Sequence, residues 1–361
     1  MKLTVGMVGL GLIGGCIVKA LKKADPEIRV VAYNRSEAPL LQAQEEGMAD
    51  VITQSIDEHF RACDIIFLCT PVEYNSLYLK EVAAYRKPGC ILTDVGSVKG
   101  YIHNTVEELG LNDYFIGGHP MAGSEKTGYA ASHELILENA YYAITPTVST
   151  KKEALDLYVK LVRMMKAVPI VVNPQKHDYA VAGISHVPHL IAAGLVNTVA
   201  ASDTDDELMK LLAAGGFKDI TRIASSSADM WAQICSANRE QILVMLDRYI
   251  DYMKDIRSMV EDGREDDVHK LFEESKEYRD SIGVHKGLVL PSYHLFVDIE
   301  DKEGALNAIT SVLCDNHISI KNLEIIHNRE FKQGALLIAF DDEIILRQAM
   351  EVLSENGYIL H

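Results

Sequence analysis

Residues 2–15 read KLTVGMVGLGLIGG. A β-rich run, Lys2–Val8, feeds into Gly9-Leu10-Gly11-Leu12-Ile13-Gly14, a GxGxxG spacing, and a helical pattern, Gly14–Lys23, follows it. The spacing alone is weak, but between a strand and a helix it is informative. The first glycine permits the tight turn, the second lets backbone approach a pyrophosphate, and the third lets helix and strand pack closely. Leu12 and Ile13 open the helix, where free N–H groups and the positive dipole end would face a phosphate. The bland alternative is a glycine-rich turn without a ligand, and the β-α units that follow argue against it.

Moving outward, Arg29–Tyr33, Asp64–Thr70, Cys90–Asp94 and Tyr114–Gly117 read as strands, with helical patterns at Ala38–Glu46 and Val72–Tyr85. Tyr141–Thr145 and Pro169–Val172 are further β-like runs around a helical Lys151–Lys166. Such alternation predicts an α/β fold, a Rossmann-type doubly wound parallel sheet over residues 1–173. From His177 to about Ser281 the pattern is helical, and several helices are too apolar to be solvated on any face. We expect an all-α domain over 174–285 that buries them in a homodimer. After a Gly- and Pro-punctuated junction, Ser281–Pro291, the order is Tyr293–Ile299 strand, Ala305–Asn316 helix, Ile318–Ile326 and Ala335–Phe340 strands, and Glu343–Glu355 helix. That is a ferredoxin-like βαββα module over 291–361.

Composition narrows the partners. The 361 residues suit two or three domains, and 48% hydrophobic with 24% charged is globular. A formal charge of −17 argues against nucleic acid and anionic membranes, leaving an anionic substrate only at a locally basic pocket. Cys16, Cys63, Cys69, Cys90, Cys235 and Cys314 form no CxxC pair, which reads as reduced, buried thiols in a cytoplasmic protein, with no metal site. The Met1–Leu10 run lacks the features of a signal peptide. Ala180–Ser202 carries no Lys, Arg, Asp or Glu, yet holds His186, Pro188, His189 and Asn197, and we read it as a helix buried inside a protein.

In a parallel sheet, ligands gather at the carboxyl ends of strands. There the second strand offers Asn34, Arg35 and Ser36 where an NAD site usually has an acidic residue for the ribose. Asn34 can bond a hydroxyl, and Arg35 and Ser36 can accept a 2′-phosphate, so the residues leave NADP open; Arg35 equally suits stacking on adenine or plain solvation. Thr70 is a cofactor neighbour. Asp94–Lys99 and Gly117–Glu125 bring two polar clusters to the same edge. His119, flanked by glycines at a strand end, is the candidate proton acceptor, since its ordinary pKa lies near working pH.

GLGLIGG (9–15), DVGSVK (94–99), GHPMAGSEKTG (118–128), SHVPHL (185–190) and GGFKDITRIASSSADMW (215–231) together resemble the prephenate dehydrogenases, up to about residue 285. The 118–128 and 215–224 motifs are specific; GxGxxG is not. Asp301–Gly304 with Ile318-Ser319-Ile320-Lys321-Asn322 is similar to an ACT domain, an amino-acid-sensing module. The resemblance implies oxidation and decarboxylation of prephenate, with aromatisation driving the step. It implies that His119 bonds the ring hydroxyl as it becomes a carbonyl and that Ser97 orients His119 or that hydroxyl. Arg222 clamps the side-chain carboxylate, a task suited to a bidentate fork. His189, Ser124 and Glu125 line the pocket, Trp231 is a lining aromatic, and Asp219 lies near Arg222. NAD is the implied cofactor, and Asn34 is the departure from the family's commoner Asp.

Each residue has a plainer reading. His186 and His189 share a helix face without a third metal ligand placed by sequence, so neutral buried histidines fit better. Arg222 suits a surface salt bridge, Glu125 a pairing with Lys126 or Lys99, and Trp231 a core position. Related β-hydroxyacid dehydrogenases use a lysine on the first long helix after the Rossmann domain; Val181–Ala201 has none, which leaves the proton work to His119. In the terminal module the resemblance implies that L-tyrosine binds at Gly304 and Asn322 and inhibits; the rival is a purely dimerising domain. Two functions compete with the first: an arogenate dehydrogenase, and an amino-acid-sensing protein with a vestigial Rossmann fold, which would need a broken glycine motif or no His119.

Overall fold

Strand β1 (Thr4–Val8) is fully buried in the middle of a five-stranded sheet. The structure, a computed structural model, describes residues 3–123, 126–282, 293–299, 302–326, 334–340 and 342–360. The chain forms two compact units, Met1–Leu271 and Phe272–His361.

In the first unit β1 is followed by α1 (Leu12–Ala24), β2 (Arg29–Tyr33), α2 (Glu37–Glu45), β3 (Val51–Thr53), β4 (Ile65–Leu68), α3 (Val72–Ala83), β5 (Ile91–Asp94) and α4 (Gly100–Glu108). The strands pair in parallel in the order β3-β2-β1-β4-β5. Alternation along the strands explains the two covered faces. Val5, Met7, Ile65 and Phe67 pack among Ile17, Leu21 and Leu40 on one side. Val8, Ile66, Leu68 and Leu92 pack among Leu79, Val82, Ile102 and Val106 on the other. Burying a residue such as Phe67 stabilises the sheet by roughly 1.5–3 kcal/mol.

β6 (Ile116–Pro120) lies beside β5 through a parallel bridge between Leu92 and Phe115. The chain then departs from the all-parallel expectation. β7 (Tyr141–Pro146) runs antiparallel to β6, and β8 (Val168–Val171), after α5 (Lys152–Met164), runs parallel to β7. Two short 3₁₀ turns, Tyr129–Ala131 and Glu134–Ile136, are the only helical segments described between β6 and β7. A parallel return needs a longer crossover.

Helices α6 (Pro174–Val181), α7 (Val187–Ser202), α8 (Leu208–Leu212), α9 (Gly215–Thr221), α10 (Ala228–Ala237) and α11 (Arg239–Glu261) follow, and α12 (Glu265–Ser281) runs past residue 271. Asn173 caps α6 through the amides of Gln175 and Lys176, with Pro174 at its start. A widened turn, Ala182–His186, joins α6 to α7. Pro188 can neither donate to the preceding turn nor fit a regular one, which accounts for the widening. The expectation of a helix buried within the protein needs correcting: the apolar window of Pro174–Ser202 is only 28% buried. By length and composition alone that helix is long and apolar enough to cross a membrane. Its inner side packs through Ala182 and Val187 onto Ile242 of α11.

The second unit holds β9 (Tyr293–Ile299), α13 (Ala305–Asp315), β10 (Asn322–Ile326), β11 (Gly334–Phe340) and α14 (Glu343–Glu355). Its sheet is antiparallel in the order β10-β11-β9, and Leu360 bridges to Val297. Leu295, Val297 and Ile299 alternate into a core with Ile309, Leu313, Ile338 and Leu353. The expected βαββα order is therefore present. The junction 283–292 lies outside the described residues.

Cys16, Cys63 and Cys90 are buried, and burial pushes the Cys63 and Cys90 thiols up to about 12. Cys69 and Cys235 are only partly buried, and Cys314, on the outer side of α13, is exposed. Burial thus does not extend to all six thiols.

Candidate functional site

The glycine turn has the geometry its spacing predicts at two positions. Gly9 has φ +101°, and a Cβ there would stand 2.8 Å from the Cys69 carbonyl oxygen. A Cβ on Gly14 would stand 2.3 Å from the Gly9 carbonyl oxygen, so helix and strand touch here through backbone. Nothing lies within 4 Å of the place a Gly11 Cβ would occupy, which leaves that face of the turn open. No side chain caps α1, whose N-terminal cap is Gly11. Thr70 donates its hydroxyl and amide to Asn75 Oδ1 at 2.7 and 3.3 Å. The buried Asn75 Nδ2 has no hydrogen-bond partner among the described residues. An open turn, an uncapped helix start at Leu12 and Ile13, and a spare donor behind Thr70 fit a dinucleotide pyrophosphate.

Asn34 does something the sequence did not show. Its Oδ1 accepts from Leu10 N at 3.0 Å and its Nδ2 donates to the Ser36 carbonyl at 2.9 Å. The side chain is a strut that ties the glycine turn to the end of β2. Arg35 and Ser36 are exposed beside it.

The chemical edge is organised by buried polar groups. Asp94, at the end of β5, accepts from Gly96 N at 2.9 Å and Gly118 N at 3.3 Å, and receives the Lys99 ammonium. Lys99 Nζ also donates to the Gly118 carbonyl at 2.6 Å. Both side chains are essentially inaccessible, and burial, opposed by Asp94, holds Lys99 below its ordinary pKa. The pair clamps the loop after β5 to β6, the strand that carries His119. Ser124 and Glu125 lie outside the described residues.

His119 Nδ1 lies 2.8 Å from His177 Nε2, and His177 Nδ1 lies 2.8 Å from Asp178 Oδ1. Asp178 also accepts from Lys99 N at 2.8 Å and Gly100 N at 2.7 Å, at the start of α4. The cap on α6 sets the helix phase that puts His177 and Asp178 there. Burial, then the charges of His177, Lys99 and His186, hold His119 well below the ordinary histidine pKa. The ring is therefore neutral at working pH, as an acceptor must be.

Further along α6 and α7 a second group assembles. The Trp231 ring stacks on His189 with centroids 3.8 Å apart and meets His186 edge-on at 6.0 Å. His189 Nδ1 donates to the Ser185 carbonyl at 2.8 Å. His186 Nδ1 accepts from Asn238 Nδ2 at 3.1 Å, and burial pushes this histidine down to about 4. Trp231 Nε1 is buried without a hydrogen-bond partner among the described residues. Trp231 is thus a wall with a spare donor rather than sealed core.

Other candidates stand apart. Ser97 is half-buried on the loop after β5, with no hydrogen-bond partner among the described residues. Asp219, on α9, is exposed. Arg222 opens the short turn Arg222–Ser225, which packs on α7, and it is exposed with no partner among the described residues. Gly304 has φ +85° at the start of α13, and Asn322 opens β10; both are exposed. Sequence reading missed His177, Asp178 and Asn238. The dipeptide His177-Asp178 was the one available sign, and nothing in its spacing ties it to residue 119.

A glycine turn opening a parallel sheet, with a neutral histidine at the neighbouring strand ends, defines a nicotinamide-dinucleotide dehydrogenase. Residues 17–171 match the prephenate dehydrogenase nucleotide-binding domain, and residues 173–274 match the prephenate dehydrogenase dimerization domain. A Bacillus subtilis prephenate dehydrogenase is 37% identical over 98% of this chain and 97% of its own. A prephenate dehydrogenase from A. aeolicus, solved with hydroxyphenyl propionate and NAD+, is 30% identical with a TM-score of 0.74, over 78% of this chain and 99% of its own. A Synechocystis arogenate dehydrogenase is 29% identical with a TM-score of 0.70, over 77% of this chain and 99% of its own. The chain belongs to the prephenate dehydrogenase family.

Proposed function

We propose that the chain converts prephenate to 4-hydroxyphenylpyruvate and CO2, with NAD as the oxidant, in tyrosine biosynthesis. A bound nicotinamide supplies the hydride acceptor. Gly9, Gly11 and the opening of α1 at Leu12 to Gly14 hold its pyrophosphate, Thr70 lies alongside, and Asn34, Arg35 and Ser36 border the adenosine ribose. His119 accepts the hydrogen bond of the ring hydroxyl while that carbon is oxidised, and Ser97 steadies the same hydroxyl. Arg222 takes the side-chain carboxylate, with Asp219 beside it, and His189, Trp231, Ser124 and Glu125 complete the pocket. The observation that supports this reading is His119 on β6, its Nδ1 2.8 Å from His177 Nε2.

The helical segment 173–274 is the dimerisation domain, and a second copy covers the apolar outer side of α7. In that reading Pro174–Ser202 is an interface helix, not a membrane span, and the protein works in the cytoplasm. The catalytic part ends near residue 285, and 291–361 is an ACT module that binds L-tyrosine at Gly304 and Asn322 and inhibits. In its support, the two family matches end at residue 274, short of that segment.

A steady-state assay crossing NAD and NADP with prephenate and arogenate, with and without L-tyrosine, tests the whole reading. The expected result is highest kcat/KM for prephenate with NAD, and tyrosine inhibition that Asn322→Ala relieves. Preference for arogenate would move the chain to the Synechocystis-like reading. Inhibition unchanged in the Asn322→Ala variant would remove the effector site.

A further inference from the structure

We propose that His177, fixed by Asp178, is a positioning residue that sets the tautomer of His119 and takes over its proton as the substrate hydroxyl is oxidised. This rests on the reading of His119 given above.

The hydrogen bonds fix the direction of the chain. Both carboxylate oxygens of Asp178 receive backbone N–H groups, from Lys99 and Gly100, so this side chain is an acceptor. His177 Nδ1, 2.8 Å from Asp178 Oδ1, must then be the donor. In the proposed resting state His177 is a neutral imidazole, and with Nδ1–H its Nε2 is bare. His177 Nε2 therefore accepts, and His119 Nδ1, at 2.8 Å, donates to it. His119 is left with a bare Nε2, the form that can receive a hydroxyl proton. Without Asp178 the alternative tautomer would be equally available, and His119 would present an N–H to the substrate.

The same line carries charge. The ring hydroxyl proton moves to His119 Nε2 while His119 Nδ1–H passes to His177 Nε2. The positive charge then rests on His177, against the Asp178 carboxylate, instead of on a ring faced by the Lys99 ammonium. As the carboxylate carbon leaves as CO2, its bonding pair fills the ring. The oxygen becomes phenolic and the proton returns along the same path, so none is released overall. The groups facing these imidazoles are Asp178, Lys99, His186 and, beyond Lys99, Asp94 and His103. Among the described residues, none besides Asp178 offers His177 a carboxylate contact.

Two variants test the arrangement in the full-length protein. His177→Gln keeps an acceptor for His119 but cannot hold the proton. It should lower kcat about 10–100-fold with KM for prephenate and NAD within about twofold. In a His119→Asn background, the same change should cost nothing further, because the two act as one unit. Asp178→Asn should mix the tautomers, read in the ¹⁵N imidazole spectrum of the ligand-free protein as protonation shifting from Nδ1 to Nε2 of His119. This readout is independent of turnover. Near-normal kcat in His177→Gln, losses that multiply in the double variant, or an unchanged Nδ1–H signal would overturn the relay and leave His119 standing. Near-normal kcat in His119→Asn alone would instead overturn the reading of the site.

Discussion

The nucleotide-binding half and the helical half of the first unit treat apolar side chains in opposite ways. Ile65, Ile66, Phe67 and Leu68 on β4 are each 0% exposed, covered from both faces by this chain's own helices. In the helical half, Ala182, Val187 and Ile242 are the buried centre, while Ile184 is 70% and Leu211 78% exposed. The first half is complete in one chain. The second leaves apolar side chains exposed, and its residues 173–274 match a dimerization domain. A residue's meaning can be read from one chain in the first half, and only from the assembly in the second.

The sharpest test on the self-contained side is the Asp94–Lys99 pair. Lys99→Met would leave Asp94 buried with its two amide donors and no cation. Breaking one partner of a buried pair costs about 3–5 kcal/mol. Denaturant unfolding should show that loss, and His119, held on β6 through Gly118, should lose order with it. Equal stability of Lys99→Met and the parent would show that the pair does not clamp β5 to β6.

On the other side, Leu243, Ile250, Met253 and Val260 lie along α11 at spacings of 7, 3 and 7, and all are exposed. That spacing makes one seam on a helix. Ile250→Glu would place a carboxylate in it and should weaken the dimer by about 10²-fold or more, near 3 kcal/mol, seen as a monomer shift in sedimentation at micromolar concentration. The nucleotide half should keep its NAD affinity. A variant that stays dimeric would place the interface elsewhere.

The same contrast governs what the sequence made legible. The turn at Gly9 to Gly14 and the strand of His119 were readable because each is local: a glycine spacing, a β-run, a histidine after two glycines. The βαββα order of the second unit was readable for the same reason, through alternation in Tyr293–Ile299 and helical spacing in Glu343–Glu355. The antiparallel turn of β7 was not, because direction depends on what joins the strands. Nor was the line His119–His177–Asp178, since two of its members lie 58 and 59 residues downstream and meet His119 only through the cap that phases α6. The strut role of Asn34 was not legible because its partner, Leu10 N, belongs to backbone, which has no sequence signature.

Arg222 carries the smallest effect and divides the two halves most finely. It is exposed, and no ion pair holds it among the described residues, so removing it should hardly change folding. If it receives the substrate carboxylate, Arg222→Ala should raise KM for prephenate about tenfold, the value of one charge-assisted contact, with kcat and NAD binding within about twofold. Arg222→Lys should recover only part of that, because an ammonium does not reproduce a planar fork. The turn that carries Arg222 packs on α7, whose outer side the second copy covers in our reading. Ile250→Glu should therefore raise the same KM while leaving NAD affinity alone. A rise in Arg222→Ala that the dissociated Ile250→Glu monomer does not share would mean that a single chain sets this residue without its neighbour.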